Sequence, residues 1–99
     1  MEHLKKLWSC FTDDMDHCYF TGTFQIERHH VFGGSRKKAS EKYGYVFPLA
    51  PNLHPNGVFA DKSIAHEMDL KLKIMCEEQF LKNHGTKEDF IRIFGKSYI

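Results

Sequence analysis

Apolar residues recur with the period of an α-helix in three segments of this chain. In residues 4–11 they stand at positions i, i+3, i+4 and i+7, which predicts a short amphipathic helix. In residues 64–82 they cover a wide face, and this longest predicted helix has Ser63 as a candidate N-cap and Gly85 near its end. Its apolar positions are Ile64, Met68, Leu70, Leu72, Ile74, Met75, Phe80 and Leu81.

A capping-box pattern marks the third helical segment. Thr86 is followed three residues later by Asp89, so each side chain can accept a hydrogen bond from the other residue's backbone amide. Gly95 is of the type that commonly ends a helix, so we expect the last helix to span about residues 87–95. Its predicted inward-facing residues are Phe90, Ile91 and Phe94.

Short apolar runs between turn residues predict β-strands in the first half of the chain. Residues 18–20 and 24–26 have this composition and flank a Thr-Gly-Thr turn, so we expect a hairpin whose second strand runs into a histidine pair. Residues 45–50 form a further strand candidate, which Pro48 confines to a sheet edge because proline lacks an amide hydrogen.

The remaining segments are rich in turn residues. We expect residues 33–44 to form a loop and residues 51–56 to form a turn or a single helical turn. No repeat or linker interrupts the pattern, so the sequence predicts one small α+β domain over residues 1–99, with its core in about residues 18–84.

Composition and charge narrow the class of protein. Hydrophobic residues make up 41% and charged residues 27%, as in ordinary soluble proteins. No apolar run approaches the roughly 20 residues of a membrane span and no signal peptide opens the chain, so we expect a cytoplasmic protein that enters no membrane. A net charge of +1 excludes a general polycation, but basic residues concentrate in residues 28–42, where they favour contact with a few phosphates.

The three cysteines, Cys10, Cys18 and Cys76, are widely separated and form no C-x-x-C pair. This spacing gives no support for a cysteine-built zinc site, and we expect reduced thiols without a functional role. Candidate chemistry must therefore come from other side chains.

Histidine is the residue type that carries candidate chemistry, with seven copies in 99 residues. Three have polar neighbours and are expected at the surface: His3, His17 and His84. The four candidates for a site are His29, His30, His54 and His66. Adjacent residues on a strand point to opposite faces, so His29 and His30 are expected to have different tasks.

Imidazole side chains suit metal-assisted hydrolysis. A neutral imidazole is a common ligand for divalent metals, and two or three such ligands leave positions open for water and phosphate. The metal stabilises charge on the scissile phosphate and the leaving oxygen, while another imidazole deprotonates the attacking water. The histidine pair beside a basic segment therefore suggests hydrolysis of a phosphate backbone.

Four features occur in order along the chain: Glu-Arg-His-His-Val-Phe-Gly-Gly at residues 27–34, a basic loop, a Val-Phe-Pro-Leu strand, and His54 shortly afterwards. In these features the chain resembles the HNH endonucleases, and most closely the small HNH proteins of phage and prophage genomes. The resemblance implies a ββα-metal core, in which a β-hairpin and a helix hold one divalent ion (Mg²⁺, Mn²⁺, Ni²⁺ or Zn²⁺). It also implies DNA as the substrate, the cytoplasm of a bacterial host as the location, and phage packaging or recombination proteins as candidate partners.

Carried over residue by residue, the resemblance implies a role for each candidate. His29 would be a metal ligand, His30 the general base that activates water, and His54 the second ligand. His66 would complete the metal site if the turn before it folds back. Glu27 stands two residues before the first ligand, as in the colicin-like DNases, and would orient His30 or an active-site arginine.

In this interpretation, four basic residues contact the DNA phosphates. These residues are Arg28, Arg36, Lys37 and Lys38. Because phosphate contacts carry no base information and no recognition helix is evident, we expect only a weak sequence preference.

The chain departs from the HNH pattern in three places. The cysteine pairs that form a structural zinc site in many relatives are absent. The central asparagine, which pins the loop behind the base, falls at Tyr45, and Asn52 or Asn56 would replace it only with a different geometry. His66 lies twelve residues after His54 instead of one helical turn after it.

Two functions from different classes follow from these observations. The first is a divalent-metal-dependent HNH endonuclease that hydrolyses DNA phosphodiester bonds. The second is a catalytically inactive, metal-bound module that binds nucleic acid or protein, which the absent asparagine would permit. A third option, a structural zinc domain, would need four closed protein ligands.

Overall fold

The structure, a computed structural model, describes residues 6–99. Its regular elements are two β-strands, three α-helices and two 3-10 turns. In chain order they are β1 (Glu27–His30), a 3-10 turn (Gly34–Arg36), α1 (Lys37–Tyr43), β2 (Val46–Leu49), a 3-10 turn (Pro51–Leu53), α2 (Ala65–Asn83) and α3 (Lys87–Phe94). Together they form one small α+β domain, as predicted. None of the helices within residues 6–99 is long and apolar enough to cross a bilayer.

β1 and β2 pair as an antiparallel two-stranded sheet, in which Arg28 lies opposite Pro48 and His29 lies opposite Phe47. Both strands of such a sheet are edges, so a residue without an amide hydrogen is tolerated, and the predicted edge position of Pro48 is confirmed. The Pro48 carbonyl accepts a hydrogen bond from the Tyr19 amide at 2.8 Å. The predicted strand at residues 45–50 is thus confirmed apart from one residue at each end.

The predicted hairpin at residues 18–26 is wrong. The chain forms a tight turn there, in which the Cys18 amide donates to the Thr23 carbonyl at 2.8 Å and Gly22 has a φ of 79°. Phe24, which a strand would need to pack, is 76% exposed. The strand begins only at Glu27, because the four residues of β2 pair with the histidine segment itself.

The predicted helix at residues 4–11 is wrong over the residues described, and residues 1–5 lie outside them. Residues 6–11 are not helical, and the Cys10 amide donates to the Gly44 carbonyl at 2.9 Å instead of to a carbonyl of its own segment. A helix of two turns is marginal in water on its own, so tertiary contacts decide the backbone here.

The expected loop at residues 33–44 instead contains a 3-10 turn and α1. Lys, Ala and Glu within α1 favour a helix, while the glycines that suggested a loop stand outside it. Gly44 ends α1 in a left-handed conformation at φ 74°, and a Cβ at this position would lie 2.7 Å from the Cys10 nitrogen. Glycine is therefore required where α1 meets the N-terminal segment.

The two C-terminal helices follow the prediction closely. α2 starts and ends one residue later than predicted, but Ser63 is not its N-cap, since the Ser63 hydroxyl donates to Asp61 at 2.6 Å. The capping box of α3 is confirmed, because the amides of Thr86 and Asp89 each donate to the other residue's side chain. Three residues predicted to face inward are instead exposed: Leu70, Leu81 and Ile91.

An aromatic core lies between β2, α2 and α3. All four residues of β2 are buried, and the largest fully buried side chains include Tyr45, Phe47, Phe80 and Phe90. β1 is less buried than β2, with His29 as its one buried residue. The sheet therefore carries the histidine pair at the margin of the core.

Candidate functional site

β1 separates its four side chains into two pairs, as alternation along a strand requires. Glu27 and His29 form the inner face of β1, where both contact His54. Arg28 and His30 form the outer face, where they contact other parts of the chain. The expectation that the adjacent histidines point to opposite faces of the strand is therefore confirmed, and the different tasks inferred from it stay a prediction.

His29 and His54 lie against each other on the inner face. Their ring centroids are 4.8 Å apart in an edge-to-face arrangement, and His29 is 5% exposed. The His29 Nε2 atom is buried without a hydrogen-bond partner among the residues that the structure describes. Buried polar atoms in folded proteins are nearly always satisfied, so an orphaned imidazole nitrogen beside a second imidazole calls for an explanation.

Glu27 holds the ring of His54. The His54 Nδ1 atom lies 2.5 Å from Glu27 Oε1, and an ionised carboxylate only accepts hydrogen bonds, so Nδ1 carries the proton and donates it. The sequence prediction that Glu27 orients His30 or an arginine does not match this geometry, because Glu27 pairs with His54. A carboxylate behind an imidazole in this way orients the other ring nitrogen, Nε2, as metal-ligating histidines require.

Gly57 makes room for the Glu27–His54 pair. A Cβ at this position would lie 2.8 Å from both Glu27 Oε1 and His54 Nδ1, which is closer than real Cβ contacts. The Gly57 amide also donates to the His54 carbonyl at 3.1 Å, so the turn after His54 is folded against the pair. The absence of a side chain at Gly57 is thus part of the site.

Burial lowers the pKa of His29 to about 4, and the neighbouring charge of His54 acts in the same direction. The His29 imidazole is therefore neutral near pH 7, which is the form that can act as a metal ligand. From α2, Asp69 raises this pKa and Lys73 lowers it, and the two form an ion pair at 2.8 Å. Asp69 is thus a neighbour of His29 that sequence reasoning missed, although it lies one helical turn after His66.

His66 does not join this group. It is exposed in the first turn of α2, and within residues 6–99 no cluster of three or more His, Cys, Asp or Glu side chains is arranged to hold a metal ion. The three cysteines are free thiols, as expected. His17 and His84 are exposed, as predicted, and His3 lies outside the described residues.

His30, on the outer face, is paired with Glu41 of α1. Its Nε2 atom lies 2.8 Å from Glu41 Oε2, and the two side chains are 16% and 22% exposed. Glu41 was not predicted, since residues 33–44 were expected to be a loop. Tyr45, where the HNH pattern has asparagine, is buried and donates its hydroxyl proton to Gln79 at 2.7 Å, so it has a core role.

The four basic residues expected to contact DNA fall into two groups. Arg28 donates to the Met15 carbonyl at 3.0 Å and contacts Asp16, while Arg36 donates to the Ile93 carbonyl at 2.7 Å and so ties the start of α1 to α3. The other two, Lys37 and Lys38, are exposed. The arginines are therefore engaged within the protein and the lysines face solvent.

Three comparisons with known proteins, against family models, curated proteins and solved structures, find no match to this chain. The likeness to HNH endonucleases consequently rests on the residues of the chain itself and stays a prediction.

Proposed function

We propose that this protein is a divalent-metal-dependent endonuclease of the HNH type, which hydrolyses phosphodiester bonds in DNA. The observation that carries the proposal is the contrast across β1. On the inner face, a buried neutral imidazole, one nitrogen of which has no hydrogen-bond partner in the described part of the chain, lies beside a second imidazole that a carboxylate orients. On the outer face, the adjacent imidazole is mostly buried, at 16% exposed, and is oriented by another carboxylate.

The donor set on the inner face fits a divalent ion. His29 and His54 would hold it, and Glu27 would orient the His54 ring from behind. Two imidazoles suit Zn²⁺ or Ni²⁺ better than Mg²⁺ or Mn²⁺, which prefer oxygen ligands. When bound, such an ion supplies stabilisation of the negative charge that develops on the phosphate and the leaving oxygen.

His30 would act as the general base. Because its Nε2–H donates to Glu41, its Nδ1 lone pair is the site that can accept a proton from water. The water oxygen forms a bond to phosphorus as one phosphoester bond breaks, and the proton moves to Nδ1. Lys37 and Lys38 would contact the flanking phosphates without reading bases.

A plasmid-nicking assay tests the proposal. The full chain is incubated with supercoiled plasmid and Mg²⁺, Mn²⁺, Ni²⁺ or Zn²⁺, beside His30→Ala and a control, His17→Ala, which alters an exposed histidine that pairs with Asp14. We expect nicking by the wild type and by His17→Ala with at least one metal, and none by His30→Ala. Normal cleavage by His30→Ala would refute the assignment of the base.

A metal-bound module that binds nucleic acid or protein without cleaving DNA is the second candidate. The observation in its favour is that the described residues gather no third metal ligand around His29 and His54. Binding of plasmid without nicking in all four metals would favour this candidate over the nuclease.

A further inference from the structure

α1 is anchored at the residue next to Glu41. The hydroxyl of Ser40, which is fully buried, donates to the Phe32 carbonyl at 2.8 Å and accepts from the Phe32 amide at 3.0 Å. Phe32 lies two residues after His30, so this double hydrogen bond ties α1 to the backbone that leaves β1. The distance from α1 to the histidine pair is thereby fixed.

The backbone of Glu41 is held as well. The Trp8 indole Nε1–H donates to the Glu41 carbonyl at 2.8 Å, and the Gly44 amide donates to the same oxygen at 3.4 Å. A side chain at Gly44 would clash with both Trp8 and Cys10, so the end of α1 packs closely against the N-terminal segment. Glu41 is therefore presented to His30 by a rigid support and not by a flexible loop.

We propose that Glu41 is the positioning residue of the general base: its carboxylate fixes the His30 imidazole as the Nε2–H tautomer and holds the ring in place. This inference rests on the proposed function. The ionised carboxylate accepts the Nε2–H hydrogen bond, so the proton cannot reside on Nδ1 of the neutral ring without losing that bond.

Tyr45 stands where the HNH pattern has asparagine, and it is buried in the core and bonded to Gln79. The side chain that contacts His30 is instead the Glu41 carboxylate of α1, eleven residues further along the chain. The burial of this ion pair argues against a merely superficial contact, because both side chains are more than three-quarters buried and α1 is held at Ser40 and at the Glu41 carbonyl.

Imidazole ¹⁵N NMR on the full chain at pH 8 measures the tautomer directly. We expect His30 to be the Nε2–H tautomer in the wild type, and a mixture of tautomers in Glu41→Ala. Glu41→Gln keeps an acceptor oxygen but adds an NH₂ donor that can also serve the Nδ1–H tautomer, so its tautomer ratio should lie between those of the wild type and Glu41→Ala. The matched control is Glu78→Ala, which removes an exposed glutamate from α2 and should leave the His30 signals unchanged.

Nicking kinetics give the second readout. We expect kcat of Glu41→Ala to fall by about 10- to 100-fold with KM nearly unchanged, and Glu41→Gln to recover part of the loss. An unchanged His30 tautomer in Glu41→Ala, or a wild-type kcat for this variant in an active preparation, would overturn the inference. If the wild type nicks DNA with none of the metals, the proposed nuclease function fails, while the NMR measurement still decides whether Glu41 fixes the tautomer.

Discussion

The inner and outer faces of β1 carry the same functional group in opposite surroundings. On the inner face, His29 is buried, its Nε2 atom has no hydrogen-bond partner among residues 6–99, and its neighbour His54 is oriented by a carboxylate. On the outer face, His30 is partly exposed and itself donates to a carboxylate. The difference teaches that one strand can hold two copies of the same side chain in separate environments, because alternation places adjacent side chains on opposite faces.

The largest expected effect is the loss of DNA nicking when the outer-face histidine, His30, is replaced, while metal binding on the inner face is retained. His30→Ala should lower the rate of plasmid nicking by about 100-fold or more, because a general base contributes a factor of this size. Its metal affinity should stay within about twofold of the wild type, since His30 is not a ligand in this account. If His30→Ala lost metal binding while circular dichroism showed an intact fold, the assignment of different roles to the two faces would be wrong.

Gly57→Ala probes the inner face alone. The new Cβ would force Glu27 and His54 apart, and loss of such an orienting partner should weaken metal binding by about 10- to 100-fold. Gly33→Ala is the matched control, because a Cβ there meets nothing within 4 Å and its backbone is extended. Titration calorimetry on both variants measures the effect, and equal affinities would mean that the Glu27–His54 pair does not support the site.

Lowering the pH should reduce the free energy of unfolding, because His29 is buried in its neutral form. Its pKa is near 6.5 in the unfolded chain and about 4 in the folded one, so the unfolded state binds the proton first and stability is lost as pH falls from 6.5 towards 4. Between pH 7 and pH 5 the metal-free wild type should lose about 1 to 2 kcal/mol more unfolding free energy than His29→Gln. Urea denaturation at both pH values measures this, and parallel losses in the two proteins would show that His29 titrates normally.

The smallest expected effect concerns the basic residues that border the outer face. Replacing Lys37 and Lys38 together by Ala should weaken DNA binding a few-fold at low salt and reduce the slope of log affinity against log salt by about 2. Arg36→Ala should leave that slope unchanged and lower the melting temperature, because Arg36 is tied to α3. A larger change of slope for Arg36→Ala than for the lysines would reverse these assignments.

Local patterns predicted the parts of the fold that local interactions determine. The capping box of Thr86 and Asp89, the extent of α2 and the strand at residues 46–49 all follow from residues near one another in the chain. The N-terminal segment did not follow its helical pattern, because the hydrogen bond from the Cys10 amide to the Gly44 carbonyl holds its backbone in another conformation.

The candidate site shows the same limit. The histidines are visible in the sequence, and the neutral, buried state of His29 follows from where β1 lies in the fold. Their partners are harder to find, because Glu27 meets His54 across 27 residues and Glu41 reaches His30 from a segment that resembled a loop. Only the packing of α1 and of the turn at Gly57 against β1 identifies them.

The most direct test of the account is a calorimetric titration of Mn²⁺, Ni²⁺ and Zn²⁺ into the full wild-type chain, His29→Ala and His30→Ala. We expect one ion per chain in the wild type for at least one of these metals, the same stoichiometry and affinity in His30→Ala, and loss of this binding in folded His29→Ala. Wild-type binding by His29→Ala, or no binding of any of the three metals by the wild type, would contradict a metal site on the inner face of β1.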